Sequence, residues 1–360
     1  MQIINKFFKL QKLYIYLFLN LLFIIFFSAS FLYANTFKVS NIEISSAFEL
    51  SFNKNKVIDD GFRSSFFNLI SMITTSGDRD KKLKKISLKE LKGMIDSFII
   101  SDEKFVNNEY FAKLEVTFNK KKILSFLEEK NIFPSMPIRK KVLLVPILVD
   151  VELDKIYLFT DNIFYQKWNR SKKNYHLLEY LLPSEDIEDL NTIQQMSSSI
   201  EKYDFVKLIT KYDLEDYIIS IIFKNKKNLR VLSKINLKNS LKLDNQKFEN
   251  IDLKNEKDFE IVSERLKTIY ENYWKKNNEI NTSIKLPISV SINSKEYSKI
   301  QEFERILNTM DLVSNFYILK FNSQKVNYKI IYNGSPRTFL NDFTKENIDL
   351  VMEDNVWIIK

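Results

Sequence analysis

The chain has 360 residues, 45% hydrophobic and 14% aromatic, which supports a sizeable core and exceeds what one ordinary domain needs. It has no cysteine and one histidine, which excludes disulfides, a lipid anchor on cysteine, thiol catalysis and a zinc site built from several histidines. The formal charge is +9, yet only eight of the 55 basic residues are arginine, and Gly61, Gly77, Gly93 and Gly334 lie too far apart for a phosphate-cradling loop, so neither nucleic acid nor a nucleotide cofactor is expected.

Lys6, Lys9 and Lys12 precede an apolar run from Leu13 to Ala34, and polar Asn35 and Thr36 follow. A basic start, an apolar centre and a small residue at the junction are the parts of a secretory signal peptide, so residues 1–34 are read as a leader cleaved near Ala34. The competing reading is an uncleaved anchor in the inner membrane, because the run approaches the roughly 20 apolar residues that cross a bilayer. Both send the rest of the chain outward, and the expected location is the periplasm. Loss of the leader leaves 52 basic residues against 46 acidic ones. Arg79 to Lys85 packs five basic residues into seven; the run reads as a solvated loop, with association to an anionic membrane surface as its functional alternative.

The mature sequence divides into three modules of an α+β protein. In the first, 36–133, Phe37, Val39, Ile42 and Ile44 mark a strand whose alternation slips at Asn41, which predicts a bulge. Ile58, Phe62, Phe66, Leu69, Ile70 and Ile73 share one helical face, with Ser76 and Gly77 as the stop. Ser87 and Glu90 form a capping box, Tyr110 to Phe118 alternates as a strand, and Asn119 caps a helix carrying Ile123, Phe126 and Leu127. Pro134 to Pro137 connects to the second module, 141–280, a mixed α/β sandwich. There Val142 to Val149 is apolar on both faces, although Pro146 removes one ladder donor and predicts a bulge or an edge. A strand at Lys155 to Thr160, helical segments near Trp168, helices at Leu190 to Ile200 and Asp204 to Thr210, and strands at Tyr217 to Phe223 and Leu229 to Leu237 follow. A long helix with Phe259, Val262, Leu266, Ile269, Tyr270 and Tyr273 on one stripe closes it, with Lys275 and Lys276 suiting its C-terminus. In the third module, 284–360, alternation from Ile284 to Ile292, a helix capped by Ser294, strands at Asn315 to Phe321 and Val326 to Tyr332, a turn at Asn333 to Pro336, a second helix and two last strands give a ferredoxin-like βαββαβ order.

Chemistry is hard to place on this sequence. His176, between Lys172-Lys173 and Leu181-Leu182, reads as a satisfied structural or surface residue. Glu185, Asp186, Glu188 and Asp189 are four carboxylates in five positions, which suits a helix start better than a calcium loop because the loop's glycine spacing is absent. Asp59-Asp60 and Glu128-Glu129 read as helix-end or surface charge. Trp168 among Lys167, Arg170, Lys172 and Lys173 is a possible stacking platform, with packing at a helix end as the plainer role. No catalytic, cofactor or metal residue is assigned.

Phe37-Lys38-Val39, Phe98 to Lys104, Tyr110-Phe111-Ala112 with Val116 to Asn119, Val142 to Pro146, Trp168-Asn169, Leu182-Pro183 with Asp186 to Asp189, Gly334-Ser335 and Trp357 carry a resemblance across nearly the whole mature chain. It resembles a bacterial exported-protein family known as the domain of unknown function number 2066. The resemblance implies a signal-bearing envelope protein and raises Trp168, Asp186 and Asp189 as positions to test, without supplying an activity. The sequence reading is therefore a non-catalytic periplasmic protein that binds envelope components or other proteins as a scaffold or assembly factor. The alternative is a carboxylate-dependent periplasmic hydrolase using the Glu185 to Asp189 cluster.

Overall fold

A computed structural model describes residues 37–83, 86–310 and 312–359; the 1–34 leader expectation lies outside them. The fold is α+β, with three sheets in chain order. Among the described residues no helix is long and apolar enough to cross a membrane.

The first sheet has the antiparallel order β1 (Lys38–Ala47), β3 (Glu109–Phe118), β2 (Ile95–Val106). The slip foreseen at Asn41 is a bulge: register shifts between Val39 and Ile42, and Asn41 takes φ 58°. The helix Lys54–Ile73 lies on this sheet, capped by Asn53, and buries Phe62, Phe66, Leu69, Ile70 and Ile73. It ends at Thr74, before Ser76. Thr75 instead caps a separate helix, Ser76–Lys82, in which Lys82 pairs with Asp78 at 3.0 Å, so the basic run is helical over this part and not a loop. The helix 88–93 is capped by Ser87 and the helix 120–129 by Asn119, as their sequences predict.

The second sheet has the order β5 (Lys155–Tyr157), β4 (Lys140–Asp150), β7 (Tyr217–Asn225), β8 (Asn228–Leu237), β9 (Ser240–Phe248), and β6 (Leu178–Leu181) also pairs with β4. β4 and β7 are parallel, and both faces of β4 are buried. Val142, Leu144 and Leu148 meet Phe164, Trp168 and the helix Glu256–Asn277, while Leu143, Val145, Ile147 and Val149 meet Ile193, Ile200, Phe205 and Leu208. Pro146 sits where β4 runs between its pairings with β6 (140–143) and β5 (148–150), so its missing N–H removes no bond from the β7 ladder. Fully buried Asn162 fills that gap. Its Nδ2 donates to the Pro146 carbonyl at 3.0 Å and to that of Tyr157 at 3.3 Å, while its Oδ1 accepts from Phe164 N at 2.9 Å and caps the helix Ile163–Lys167.

The third sheet is ferredoxin-like and carries one extra strand: β11 (Val313–Phe321), β12 (Lys325–Tyr332), β10 (Leu286–Asn293), β14 (Val356–Ile359), β13 (Leu350–Glu353). The last two strands form a hairpin, which puts β14 parallel to β10 and β13 at the edge. Helices 297–309 and 336–345 bury Phe303, Ile306, Leu307, Phe339 and Phe343 against it. Ser335 caps the second helix through Thr338 N. Ser294 does not cap the first; its N–H bonds to the Gln324 carbonyl and the helix starts three residues later, at Tyr297, without a side-chain cap.

Few glycines leave the tight turns to other residues. Of fifteen described non-glycine residues with positive φ, twelve are Asn or Asp, including Asn107-Asn108 and Asp354-Asn355 at two-residue hairpins, where a short polar side chain tolerates the left-handed region. Glycine is required for a different reason at Gly61, where a Cβ would lie 2.8 Å from Leu114 Cδ2 and 2.9 Å from Ile44 Cγ2, so its absence sets how closely helix 54–73 approaches the sheet. Gly77 is helical with open space around it. Gly61→Val should cost about 2–3 kcal/mol by overpacking, whereas Gly77→Ala should add about 0.5–1 kcal/mol by removing unfolded-state freedom. Urea unfolding of both variants checks the opposite signs.

Candidate functional site

The sequence candidates fall on opposite faces of the second sheet. Trp168 follows the helix 163–167 and is fully buried on the side of helix 256–277; Asp186 and Asp189 begin the helix Ile187–Gln194, which buries Ile193 on the other side. They form no common site.

Asp186 is an N-cap, accepting from Glu188 N at 2.8 Å and Asp189 N at 3.2 Å. Lys211 then reaches both carboxylates, at 2.8 Å from Asp186 and 2.7 Å from Asp189, and Lys207 pairs with Glu188. Hydrogen bonds from Lys211 hold the Asp186 carboxyl below the usual carboxylate range and in return raise the Lys211 ammonium. Two acids sharing one lysine at a helix start make a charge-paired cap whose remaining negative charge suits the helix dipole. Of the other acidic pairs, Asp59 meets Lys92 at 2.6 Å and Glu128 meets Lys285 at 2.9 Å. Among the described residues no group of three or more acidic or histidine side chains is arranged to hold a metal ion.

Trp168 leads to a cavity of about 270 Å³ that the sequence did not announce. Trp168, Ser171, Lys172, His176, Glu179, Tyr180 and Lys267 contribute to its walls. The segment after helix 163–167, the start of β6 and the middle of helix 256–277 converge there. Lys267 is 2% exposed, and its Nζ donates to the Ser171 carbonyl at 2.7 Å and to Ser171 Oγ at 3.1 Å. Burial lowers its pKa, which Glu264, 3.7 Å away, partly opposes. His176 is buried too: Lys173 N donates to its Nδ1 at 3.5 Å, and its Nε2 lies 4.0 Å from Glu264 Oε2. Burial pushes the imidazole down to about 4, so it is neutral, as a satisfied structural histidine should be. One turn along the helix, Glu271 Oε1 accepts from Leu177 N and Leu178 N, both at 2.8 Å, and so fixes the start of β6.

Two buried groups of the cavity wall lack a partner, Trp168 Nε1 and Tyr180 Oη, and Glu271 Oε2 nearby in sequence to Lys267 lacks one as well. Sequence inspection found Trp168 by its basic surroundings but missed Tyr180, Lys267 and Glu271. Lys267 and Glu271 read as the wet face of an amphipathic helix, and only their spacing of four residues could have suggested a shared face. No protein-family model matches the chain, and no curated protein matches it.

Asp186→Asn should lower the thermal midpoint by an amount that shrinks in high salt, and calcium, magnesium or zinc should leave the parent's midpoint unmoved; scanning calorimetry at two ionic strengths checks both. For His176, the unfolded chain takes a proton near pH 6.5 that the folded chain refuses until about 4. Stability from this residue is therefore complete above pH 6.5 and falls as pH drops to 4, by on the order of 3 kcal/mol. His176→Gln should lack that component, so denaturant titrations from pH 7 to 4 should give the variant a shallower loss than the parent.

Proposed function

We propose that this protein is an exported, non-catalytic binding protein of the cell envelope, a scaffold or assembly factor that takes an extended segment of another envelope protein as an added strand. The observation that carries this reading is β11. Its outer edge is unpaired among the described residues, and Tyr317, Ile318, Leu319 and Phe321 are 48%, 51%, 61% and 69% exposed on it. A long apolar edge invites strand addition, and monomeric proteins ordinarily blunt such edges with charge, proline or a covering element. Here Lys320 is the one charge within the run. β2 and β9 are also edges, with Phe98, Ile99, Leu241 and Leu243 exposed, but β2 carries Asp96, Asp102, Glu103 and Lys104 and β9 carries Lys242, Asp244 and Lys247, so both are more strongly charged than β11. Main-chain bonds of an edge supply affinity and alternate side chains supply selectivity, so one fold with several open edges suits assembly.

The basic start and the apolar run at 13–34 support export, and so does the resemblance to the exported family. A hydrolase working through the 185–189 acids has less support, since Lys211 and two backbone amides already engage Asp186 and Asp189.

A photo-crosslinking residue at Leu319 in cells should trap a discrete adduct, and one at Tyr297, an exposed helical position in the same module, should not. Ile318→Lys should abolish the adduct without lowering the thermal midpoint. N-terminal sequencing of the captured protein should begin just after Ala34. Equal labelling at both positions would remove the strand-edge reading.

A further inference from the structure

We infer that the groove between the outer edge of β1 and the helix 54–73 binds a basic, extended segment of a partner polypeptide, which adds as a strand to β1 and sets lysine or arginine against Glu43, Glu49 and Asp60. This site lies in the first module, and it goes beyond the reading of the β11 edge without resting on it.

The backbone supplies the first half of the fit. Among the described residues β1 pairs with β3 alone, so every second residue from Ile42 to Ala47 turns its N–H and C=O away from the sheet. The bulge at Asn41 interrupts the edge before this stretch, and after it the register runs unbroken for six residues, about 20 Å of strand. Facing this edge, the helix presents Lys56, Val57, Asp60, Gly61 and Ser64, whose spacing of three and four residues makes one stripe along the groove. The cavity between them measures about 510 Å³. Its walls are low, because Gly61 has no side chain and Ser45, Ser46, Ala47 and Ser64 have small ones, so a second main chain can approach β1 closely.

Charge decides what that main chain carries. Glu43, Glu49 and Asp60 line the groove, are exposed, and make no ion pair or side-chain hydrogen bond among the described residues, while Lys56 is the one ammonium on the wall. Neighbouring cations are engaged elsewhere: Lys54 pairs with Glu103, and Lys113, opposite Glu43 in the register, pairs with Asp102 at 2.8 Å. The whole chain carries 55 basic residues against 46 acidic ones, so this local excess of carboxylates runs against its overall field. The three acids are spread along the groove and form no metal-holding group, which matches spaced cations on a polypeptide better than a single ion. A charge on an edge strand ordinarily repels a further strand, and here a segment of opposite sign neutralises it. Ile42 and Ile44 are buried on the helix side, which turns Glu43 and Ser45 to the other face of the sheet. An added strand alternates in the same way, so its cations meet Glu43 on one face and Asp60 on the other.

The test titrates the purified protein into fluorescein-labelled peptides and reads anisotropy. The probe is an octapeptide that alternates lysine with serine and valine. One control carries glutamate in place of lysine, and a second has every backbone amide N-methylated, which keeps the charge and removes the edge hydrogen bonds. The expected result is saturable binding of the lysine peptide that weakens as salt rises, with neither control bound. Glu43→Gln and Asp60→Asn should each weaken binding about two- to fivefold, the range for an exposed ion pair, with the thermal midpoint unchanged. Glu260→Gln, which removes an exposed carboxylate on the helix 256–277, should leave the affinity as it was. Ile318→Lys, which blocks the β11 edge, should also bind like the parent, so this result and that for β11 are read separately. Absence of binding, equal binding of the glutamate or N-methylated peptide, loss of binding in Ile318→Lys, or unchanged affinity in both Glu43→Gln and Asp60→Asn would overturn the proposal.

Discussion

The second sheet and its attachment to the first depend on one buried face of the helix 256–277. Lys267, Glu271 and Lys275 recur every four residues along it and are 2%, 3% and 5% exposed. Charges this deep are costly unless hydrogen-bonded. Each is used at a different joint: Lys267 on Ser171, Glu271 on the amides of Leu177 and Leu178, and Lys275 on the Ser71 carbonyl near the end of helix 54–73. Burial shows in their acidities, lowering Lys267, raising Glu271 and bringing Lys275 down to about 8. Asn272, on the same helix, adds two bonds to Ser76, so one helix fixes a loop, a strand start and the neighbouring module.

The same economy governs the irregular backbone. With few glycines, the chain assigns left-handed turns to Asn and Asp, and it handles the interrupted edge of β4 with Asn162, whose side chain has both donor and acceptor. A carboxylate there could not donate to two carbonyls, and a hydroxyl could not reach the same three partners. Pro146 is tolerated because the gap it faces is closed by a side chain and not by a strand.

The two functional proposals rest on different departures from an ordinary surface. β11 exposes apolar side chains along an unpaired edge, whereas the groove beside β1 gathers carboxylates that make no ion pair among the described residues. Each leaves something uncompensated in the isolated chain, apolar area in one case and charge in the other, and compensation from outside is the physical content of binding.

The sequence by itself determined those elements with one wet and one buried face. Helix 54–73, β3, β8, β10 and helix 256–277 write their period into alternate or every third and fourth side chain, and even the bulge at Asn41 left a slip in that record. It also determined the caps at Ser87 and Asn119, because a cap is a local bond between neighbours. β2 and β9 were not named as strands, since almost all of their residues are exposed and no alternation results. The cap expected at Ser294 failed because the helix begins only at Tyr297, which puts Glu296 and not Ser294 at the capping position. Tertiary structure alone decided that Asp186 and Asp189 share Lys211, that Lys267 and Glu271 point inward, and that Trp168 meets Tyr180 and Lys267 around a cavity. These contacts join residues up to about a hundred positions apart, and a charged side chain facing a buried partner has the same letter as one facing water.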